Sequence, residues 1–421
     1  MRVATESRRH GGRKVISVPP CLRGSSFILH RAFCILNFDC DVLVVGAGPA
    51  GTVAARQLAA AGARVRIVDR ATFPRAKLCG DTLNPGCLAI LDRIDAAVAK
   101  RIRACARAIT GMTITGPGGV TVKADYPAGL VGAALLRRDL DEWLLEAAVR
   151  AGACFDPGVA VQRPEVAEDR FRVSGVRSTC GRREYVLRAR VLIAADGRSS
   201  RLAASLGLSR FVAKPRRWAY GAYFAGVAGM SSHGEMHVRG DGYVGVAPLP
   251  DGIANVCVVR ARANLPAGQS AGAMIANAIA ADRILRDRFA GADAVSDVTV
   301  LGPLAVESVA AGCPGMLLAG DAAGFVDPMT GDGLRFAIRG GELAAEAALR
   351  ELETGVPAHR HLLASRTREF AAKWRVNRAL RSLVGSRRAL ACAAVAARAW
   401  PAPVQQLVGI AGDVNLARRS A

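Results

Sequence analysis

The sequence predicts an α/β protein (α+β overall) that joins a Rossmann-type nucleotide-binding domain to a strand-rich middle and a helical C-terminal tail. Residues 41–70, "DVLVVGAGPAGTVAARQLAAAGARVRIVDR", show the strand, glycine turn, helix and strand of a βαβ unit. Residues 216–261 contain apolar runs separated by Asp-Gly turns, which is typical of antiparallel strands. Residues 361–385 repeat apolar and basic residues at helical spacing.

The charge distribution argues against a nucleic-acid partner. The net charge is +22, of which residues 1–38 carry +6 and residues 359–421 carry +10, so the part between them is only weakly basic. A nucleic-acid reader places its basic stripe on the folded core. The eleven cysteines are scattered without a C-x-x-C pair, which indicates reduced thiols and a cytoplasmic protein.

We expect neither a metal site nor a membrane-spanning helix. His233 and His237 in "HGEMH" fall in a predicted strand, where residues four apart do not converge well on one ion. No stretch of about 18 apolar residues is present. Residues 1–38 are basic and lack periodicity, and we interpret them as a disordered leader, a mis-set start or a targeting peptide.

The glycine turn after the first strand carries a dinucleotide fingerprint. Gly46, Gly48 and Gly51 form G-x-G-x-x-G ahead of a helix predicted over 49–62. The first glycine allows the tight turn, the second lets the backbone approach a pyrophosphate, and the third lets helix and strand pack closely. The pyrophosphate then rests on the amide groups at the helix N-terminus. Asp69 ends the next strand, at the position expected to bind ribose hydroxyls.

Two helices are predicted next along the chain. One covers about 86–100, and the second lies in the amphipathic segment 135–155. Arg137 stands at the start of the second helix, from which its guanidinium can reach a phosphate.

Two later segments have the same strand-to-turn character. Residues 185–208 read as strand, turn and helix, with the turn at Ala195, Asp196 and Gly197. Residues 314–347 deliver Gly320-Asp321 at the end of a strand and then start a helix at about 333. The amides and dipole at that helix N-terminus would stabilise negative charge on a reduced flavin.

Such dispersal along the chain suits FAD, a long ligand whose flavin half needs contacts from distant segments. A simple nicotinamide dehydrogenase would instead continue with further βα units. The residues assigned to FAD binding are Gly46, Gly48, Pro49, Ala50, Gly51, Asp69, Arg70, Lys77, Cys79, Arg137, Ala195, Asp196, Gly197, Gly320, Asp321, Pro328, Gly331, Asp332 and Gly333.

The loop "ATFPRAKLCGDTLNPG" (71–86) leaves Asp69 and is predicted to fold over the cofactor. Arg75 and Lys77 are placed to meet phosphate. Its three candidate catalytic residues approach the flavin ring: Cys79, Gly80 and Asp81. For the thiol, flavin tuning, shielding, proton delivery and plain packing all remain open.

Four motifs, "GAGPAG", "CGDTLNPG", "AADGRSSRLA" and "GDAAGFVDPMTGDGLRFAIRGG", together resemble the geranylgeranyl reductase-related branch of FAD-dependent oxidoreductases. The similarity runs over residues 40–350 in the expected order. This branch shares its fold with aromatic-hydroxylase-type monooxygenases and flavin-dependent halogenases.

The resemblance implies a GR2-type Rossmann domain interrupted by an antiparallel sheet that roofs the flavin and binds substrate. We assign the FAD-binding domain to 39–110, 135–210 and 305–355. The sheet domain takes 111–134 and 211–304, with a helix over 271–289, and a basic helical region takes 356–421.

The resemblance leaves several activities open. The leading expectation is a reductase in which FAD passes hydride to an apolar prenyl, quinone or polyketide-like molecule. FAD would itself be reduced by hydride from NAD(P)H, or by electrons from ferredoxin or another flavoprotein. The alternatives are a monooxygenase acting on an aromatic or polyketide substrate, a halogenase, and a flavin protein that transfers electrons without turnover. The halogenase signature W-x-W-x-I-P is absent, and the Cys-Gly-Asp loop favours the reductases. Prenyl reductases carry Y-x-W-x-F-P, whereas this chain has "YVGVAPLP" (243–250).

The tail segment 361–385 places Leu362, Phe370 and Trp374 on one side, with arginines around them. Such a helix either lies on anionic lipid, docks an acidic carrier protein or packs on the FAD domain. The sequence leaves the oligomeric state open.

Overall fold

A computed structural model describes residues 38–420, except 78–79, 128, 168–171, 213–215, 241 and 262–269. The leader predicted over 1–38 therefore lies, but for its last residue, outside the described residues, and so does Cys79. Within the described ranges, no helix is both long and apolar enough to cross a membrane.

The FAD-binding part is built on a parallel sheet of five strands: β1 (Cys40–Val45), β2 (Val65–Asp69), β8 (Cys154–Pro157), β11 (Arg183–Ala194) and β21 (Met316–Leu318). Across the sheet they follow the order β21-β11-β1-β2-β8. Residues 42–45 of β1 and 191–194 of β11 are continuously apolar and buried because helices or strands cover both faces of the sheet there. The expected Rossmann arrangement is thus confirmed.

One face of this sheet carries helices α1 (Pro49–Ala60), α4 (Arg137–Arg150) and α8 (Gly333–Thr354). The other face is covered by β9 (Val159–Val166), β10 (Val173–Cys180) and the short helix α5 (Arg201–Ser205). The hairpin β9–β10 continues antiparallel onto β11 and was not anticipated from the sequence. A further strand, β20 (Gly312–Cys313), pairs antiparallel with β21.

A second sheet consists of β5 (Gly111–Thr115), β6 (Thr121–Asp125), β13 (Arg217–Ala225), β14 (His233–Arg239), β15 (Gly242–Pro248), β16 (Ile253–Ala261), β17 (Asp293–Ala294) and β18 (Thr299–Leu301). Its order is β17-β13-β16-β15-β14-β5-β6, and β18 also pairs with β13. All neighbouring strands are antiparallel except β14 and β5. Helices α6 (Ala271–Ala281) and α7 (Arg283–Arg288) pack on one face. This is the antiparallel sheet that the sequence predicts.

Two small sheets link these layers. One consists of β3 (Thr82–Leu83), β7 (Gly132–Ala134) and β4 (Arg107–Ile109), and the second pairs β12 (Ser209–Phe211) with β19 (Val306–Ser308). The sequence-based domain boundaries stay a prediction.

Aspartates interrupt two of the predicted helices. The helix expected over 86–100 is two helices, α2 (Pro85–Ile94) and α3 (Ala96–Cys105), because Asp95 caps the second by accepting a hydrogen bond from the Val98 amide at 3.1 Å. The helix expected over 271–289 is likewise α6 and α7, with Asp282 as the cap. An internal aspartate competes with helix continuation by bonding the next turn's amides.

The C-terminal region is helical, as expected, and forms α9 (His359–Val384), α10 (Arg387–Ala399), α11 (Ala402–Ala411) and α12 (Val414–Ser420). The apolar stripe of α9 faces inward, since Leu362 and Phe370 are fully buried in the core beside α8. Phe370 packs edge-on against Phe336 with ring centroids 5.1 Å apart, and it lies 5.7 Å from the Trp374 ring. The stripe therefore joins the tail to the FAD-binding part.

Replacing Phe370 by alanine is expected to destabilise the folded chain by about 3–5 kcal/mol, because it leaves a cavity among rings that cannot close around it. The midpoint of thermal unfolding should fall by several degrees. Phe211→Ala is the matched control, since Phe211 is 44% exposed on β12 and its loss should leave the midpoint nearly unchanged. Equal midpoints for the two variants would contradict the assignment of Phe370 to the core.

Candidate active site

The turns predicted to bind FAD follow the carboxyl ends of neighbouring parallel strands. Gly46 follows β1, Asp69 ends β2, Asp196 follows β11 and Asp321 follows β21. Because parallel strands place their carboxyl ends at one edge of a sheet, these four turns share that edge, where α/β folds bind nucleotides.

Glycine is needed at the three fingerprint positions for different physical reasons. A Cβ on Gly46, whose φ is +104°, would lie 2.4 Å from the Ala195 carbonyl oxygen, and one on Gly51 would lie 1.9 Å from the Gly46 carbonyl oxygen. Packing within the protein therefore demands both. Gly48 has ordinary extended backbone, and a Cβ there would meet only the Arg75 guanidinium at 3.5 Å. The space beside Gly48 is thus not filled by the protein, which fits a pyrophosphate.

Asp69 braces the glycine turn. One carboxylate oxygen accepts the Ala47 amide at 2.8 Å, and the other accepts the Ala71 amide at 2.8 Å. The carboxylate is half-buried at the end of β2, with Arg70 exposed beside it. Pro49 and Ala50 are buried in the first turn of α1, as the fingerprint requires.

Cations gather around the buried carboxylate of Asp141 on α4. Its two oxygens accept the Arg137 guanidinium at 2.8 and 3.0 Å and the Arg75 guanidinium at 3.1 Å. Burial and the neighbouring Arg137 charge lower the pKa of Lys77. The Arg75 guanidinium lies beside the open position of Gly48 and shares the Asp141 carboxylate with Arg137, so both guanidinium groups are available to an anion there. Asp141 was not among the residues predicted for the site, although its i,i+4 spacing from Arg137 on one helix is a signal for such an ion pair.

The start of α8 combines open glycines with a buried acid. Gly331 adopts a left-handed φ of +68°, and a Cβ on Gly331 or Gly333 would meet no protein atom within 4 Å. Between them, Asp332 is buried and accepts the Lys373 amino group at 2.6 Å. Burial raises the pKa of Asp332 despite that cation. The backbone at this helix N-terminus is therefore open to a ligand.

Asp81 connects the loop over the site to the antiparallel sheet. Its carboxylate is 3% exposed and accepts the Arg137 amide at 3.0 Å, the Tyr223 hydroxyl at 3.1 Å and the Asn255 side-chain amide. Tyr223 on β13 and Asn255 on β16 are direct cross-strand neighbours. Burial raises the pKa of Asp81, although these hydrogen bonds favour its charged form.

Beside Asp81, Gly80 has a left-handed φ of +77°, and a Cβ at this position would lie 3.4 Å from the Arg137 guanidinium. The next cysteine along the chain, Cys87 in α2, is fully buried, and burial raises the pKa of its thiol to about 12. Cys87 is thus a packing residue and not a reactive thiol.

A cavity of about 350 Å³ begins at this loop and is bounded by the antiparallel sheet and the C-terminal helices. Gly80, Asp81 and Asn255 line it together with Pro328, Gly331 and Gly333 from the start of α8. Elsewhere the wall is mostly apolar and includes Met112, Ile114, Val120, Val246, Leu383, Leu390, Ala394, Leu407 and Val408. Its size is that of a small-molecule site.

The segment "YVGVAPLP" (243–250) contributes to the cavity through small side chains. Gly245, Val246 and Ala247 on β15 line the wall. Tyr243, the residue that matches the prenyl-reductase pattern, is buried behind the sheet and donates to the Asp327 carboxylate, which also accepts Arg217 at 3.2 Å. Tyr243 therefore positions the loop before α8.

In the described part of the chain, no group of three or more His, Cys, Asp or Glu side chains is placed to hold a metal ion. His233 bonds Thr113 at 3.0 Å and Asp125 at 2.7 Å. His237 bonds Thr115 at 2.9 Å and Glu235 at 3.0 Å. Both imidazole rings therefore form hydrogen bonds to other residues of the second sheet.

Residues 39–375 match the FAD binding domain family. The chain is 32% identical over 335 residues to menaquinone reductase of Mycobacterium tuberculosis, covering 73% of this chain and 76% of that protein. It is 33% identical over 334 residues to digeranylgeranylglycerophospholipid reductase 2 of Methanopyrus kandleri, covering 74% and 78%. It is 30% identical over 332 residues to geranylgeranyl diphosphate reductase of Rhodobacter capsulatus, covering 76% and 77%.

Solved structures show the same fold at lower identity. The flavin-dependent halogenase CmlS superposes with a TM-score of 0.72 at 23% identity, over 82% of this chain and 64% of that one. The myxobacterial chondrochloren halogenase CndH gives 0.74 at 21% identity, over 89% and 97%. The GR2-type fold and the resemblance to the geranylgeranyl reductase-related branch are therefore confirmed, and this chain belongs to the FAD-binding domain family of FAD-dependent oxidoreductases.

Proposed function

We propose that this enzyme saturates a carbon–carbon double bond in the isoprenoid chain of a lipid. The observation that carries the proposal is the apolar cavity that extends from Asp81 and the start of α8 to the C-terminal helices. An isoprenoid chain is apolar and flexible, so it gains free energy from such a wall without needing hydrogen bonds along its length. The compounds in the names of the three relatives above all carry isoprenoid chains, which supports the choice of substrate class.

FAD would be held by the residues around the sheet edge. Gly48 and the first amides of α1 would receive the pyrophosphate, with Arg75 and Arg137 beside it. Asp69 would accept ribose hydroxyls, and Asp321 would accept ribityl hydroxyls. Gly331 and Gly333 would leave the amides at the start of α8 free to meet the flavin ring. Bound FAD supplies the hydride chemistry, with NAD(P)H proposed as its reductant.

Asp81 is proposed as the proton donor. Saturating a double bond requires one hydride and one proton, and the proton must come from an acid that reaches the substrate. Asp81 lines the cavity at the end shared with α8, and burial raises its pKa. Tyr223 and Asn255 fix the position of its carboxyl group. The role of Cys79 stays a prediction, since that residue lies outside the described ranges.

We propose a cytoplasmic location for the enzyme. It is supported by free thiols, which are typical of a reducing compartment, at Cys40, Cys87, Cys105, Cys180, Cys313 and Cys392.

Anaerobic turnover tests the function directly. The FAD-loaded enzyme is reduced and then mixed, in the absence of oxygen, with a prenylated quinone or a geranylgeranyl compound. The mass of the product is measured by mass spectrometry. A gain of two hydrogens in the chain supports the proposal. Product that forms only in air and contains an added oxygen would show a monooxygenase instead.

Replacing Gly48 by valine is expected to abolish retention of FAD, because the side chain occupies the space left for the pyrophosphate. The measurement is flavin absorbance per protein after gel filtration, with circular dichroism to establish folding. Gly291→Val is the control, since Gly291 is exposed, has ordinary backbone and has no protein atom within 4 Å of its Cβ position. Full flavin content in the Gly48 variant would overturn the assignment of this turn.

Replacing Ala394 by phenylalanine should lower kcat/KM for a long-chain substrate by about tenfold or more, because the ring fills part of the apolar cavity. Turnover of a short-chain analogue should change little. Ala391→Phe on the exposed side of the same helix is the matched control. Similar losses for short and long chains would show that the cavity does not select chain length.

Replacing Asp81 by asparagine should slow substrate reduction by about 10²–10⁴-fold, because the proton donor is lost. With Asp81 present, the rate should be highest at low pH and fall as pH rises through its raised pKa, since only the neutral acid donates. The single-turnover rate of the reduced enzyme with substrate, followed against pH, provides the measurement. Reduction of FAD by the donor serves as the control and should be unchanged. A pH profile in the variant identical to that of the parent enzyme would remove Asp81 from this role.

A further inference from the structure

Helix α10 is a single layer between the cavity and the outside of the protein. On its inner side, Leu390, Ala393, Ala394 and Ala397 line the cavity wall. On its outer side, Val395 is 72% exposed. A helix with apolar residues on both sides ordinarily packs against other surfaces on both sides. The outer side of α10 is apolar, yet no other part of the described chain covers it.

We name as the outer face the exposed residues Ala391, Cys392, Val395, Ala399 and Trp400. The indole of Trp400, directly after α10, is 68% exposed. Together with the exposed alanines of the same face, these two large apolar side chains favour contact with another surface over exposure to water. Tryptophan in particular suits a boundary between water and an apolar phase, since one part of its ring system is apolar and its N–H needs a polar partner.

The charge around the outer face is of one sign. From Arg387 to Ala411 the chain contains three arginines and no acidic residue. Arg387, Arg388 and Arg398 are exposed, and Arg398 donates to the Gly118 carbonyl, which holds α10 against the turn at 117–119 while the guanidinium keeps its charge. An occupant of this face must therefore tolerate apolar contact and carry negative charge.

A second copy of this chain does not meet that requirement. In a symmetric dimer the same patch faces itself, so Arg387 and Arg388 of one copy would approach those of the other. An anionic bilayer meets both conditions, because its headgroups attract arginine and its interface accepts valine and tryptophan.

We propose that the outer face of α10 docks this enzyme on an anionic lipid surface, with the cavity wall one helix away from the bilayer. This surface is defined by the exposed Val395 and Trp400 side chains and the arginines around them, independently of which substrate the enzyme reduces. It also differs from the segment the sequence indicated: the apolar stripe of 361–385 is packed inside, and the exposed apolar residues follow it on the next helix.

Vesicle co-sedimentation tests the proposal with the full-length, FAD-loaded protein. The vesicles contain phosphatidylglycerol with phosphatidylcholine, or phosphatidylcholine alone. The parent protein should bind the anionic vesicles and bind less as salt rises. Arg387→Gln/Arg388→Gln should bind them about 30-fold more weakly, at about 1 kcal/mol for each arginine. Val395→Ser/Trp400→Ser should bind about tenfold more weakly through the lost apolar contact.

The controls change the same residue types elsewhere. Arg283→Gln/Arg286→Gln removes equal charge from the exposed side of α7, and Val356→Ser removes a valine that is 62% exposed after α8. Both should bind within about twofold of the parent protein, because they lie outside the outer face. Losses in these controls as large as in the α10 variants would overturn the proposal in favour of net charge alone.

Three results would reject the surface outright. The first is equal binding of the parent protein to both kinds of vesicle, and the second is unchanged binding of Val395→Ser/Trp400→Ser. The third is self-association in sedimentation velocity that this double variant abolishes, which would assign the face to a second copy of the chain. If vesicle binding follows the prediction while no isoprenoid lipid is reduced, the surface stands and the proposed function falls.

Discussion

The buried amino group of Lys373 joins the parts of the molecule that surround the active site. It donates to Asp332 at 2.6 Å, at the start of α8, and lies 3.0 Å from the Asp413 carboxylate, where α11 gives way to α12. It also donates to the carbonyls of Ile410 and Ala411 at 3.1 and 3.2 Å. Removing one partner from such a buried charged cluster typically costs about 3–5 kcal/mol. The loop before α8 and the helices that close the cavity therefore share one anchor.

The C-terminal helices are consequently part of the site. Asn84, the N-cap of α2, donates to the Ala411 carbonyl at 2.7 Å, and Arg335 on α8 binds both Asp413 at 3.0 Å and Glu369 at 2.6 Å. Two basic residues of the tail are likewise buried and bonded inside the protein, Lys373 to Asp332 and Arg366 to the Ala323 carbonyl at 2.9 Å. The fold itself is shared with halogenases, whereas the relatives of higher identity are named as reductases. The fold alone thus does not decide the chemistry, and the residues that line the cavity have to.

Local patterns made the FAD-binding part predictable, and long-range contacts made the rest hard to foresee. The fingerprint from Gly46 to Gly51 and the strand ending at Asp69 are short-range signals, and each was placed correctly in the fold. The breaks at Asp95 and Asp282 were missed because capping competes with helix continuation within one turn, and an apolar pattern does not reveal which prevails. The pairing of Asp81 with Tyr223 and Asn255 joins residues more than a hundred positions apart, so only the folded sheet brings them together. The same holds for the cavity, whose wall combines β5, β14 and β15 with helices from the end of the chain.

The hydrogen bonds of Asp81 have a thermodynamic consequence. One oxygen accepts the backbone amide of Arg137, whose guanidinium belongs to the cation cluster, while the other accepts groups from the sheet that lines the cavity. A displacement of the sheet that moved Tyr223 would therefore act on the same carboxyl group that accepts the Arg137 amide. Were the cavity and the proposed nucleotide site both occupied, any effect of one ligand on the affinity of the other would be matched by an equal effect of the second ligand on the affinity of the first. The carboxyl group of Asp81 is a direct hydrogen-bonded connection between these two layers of the fold.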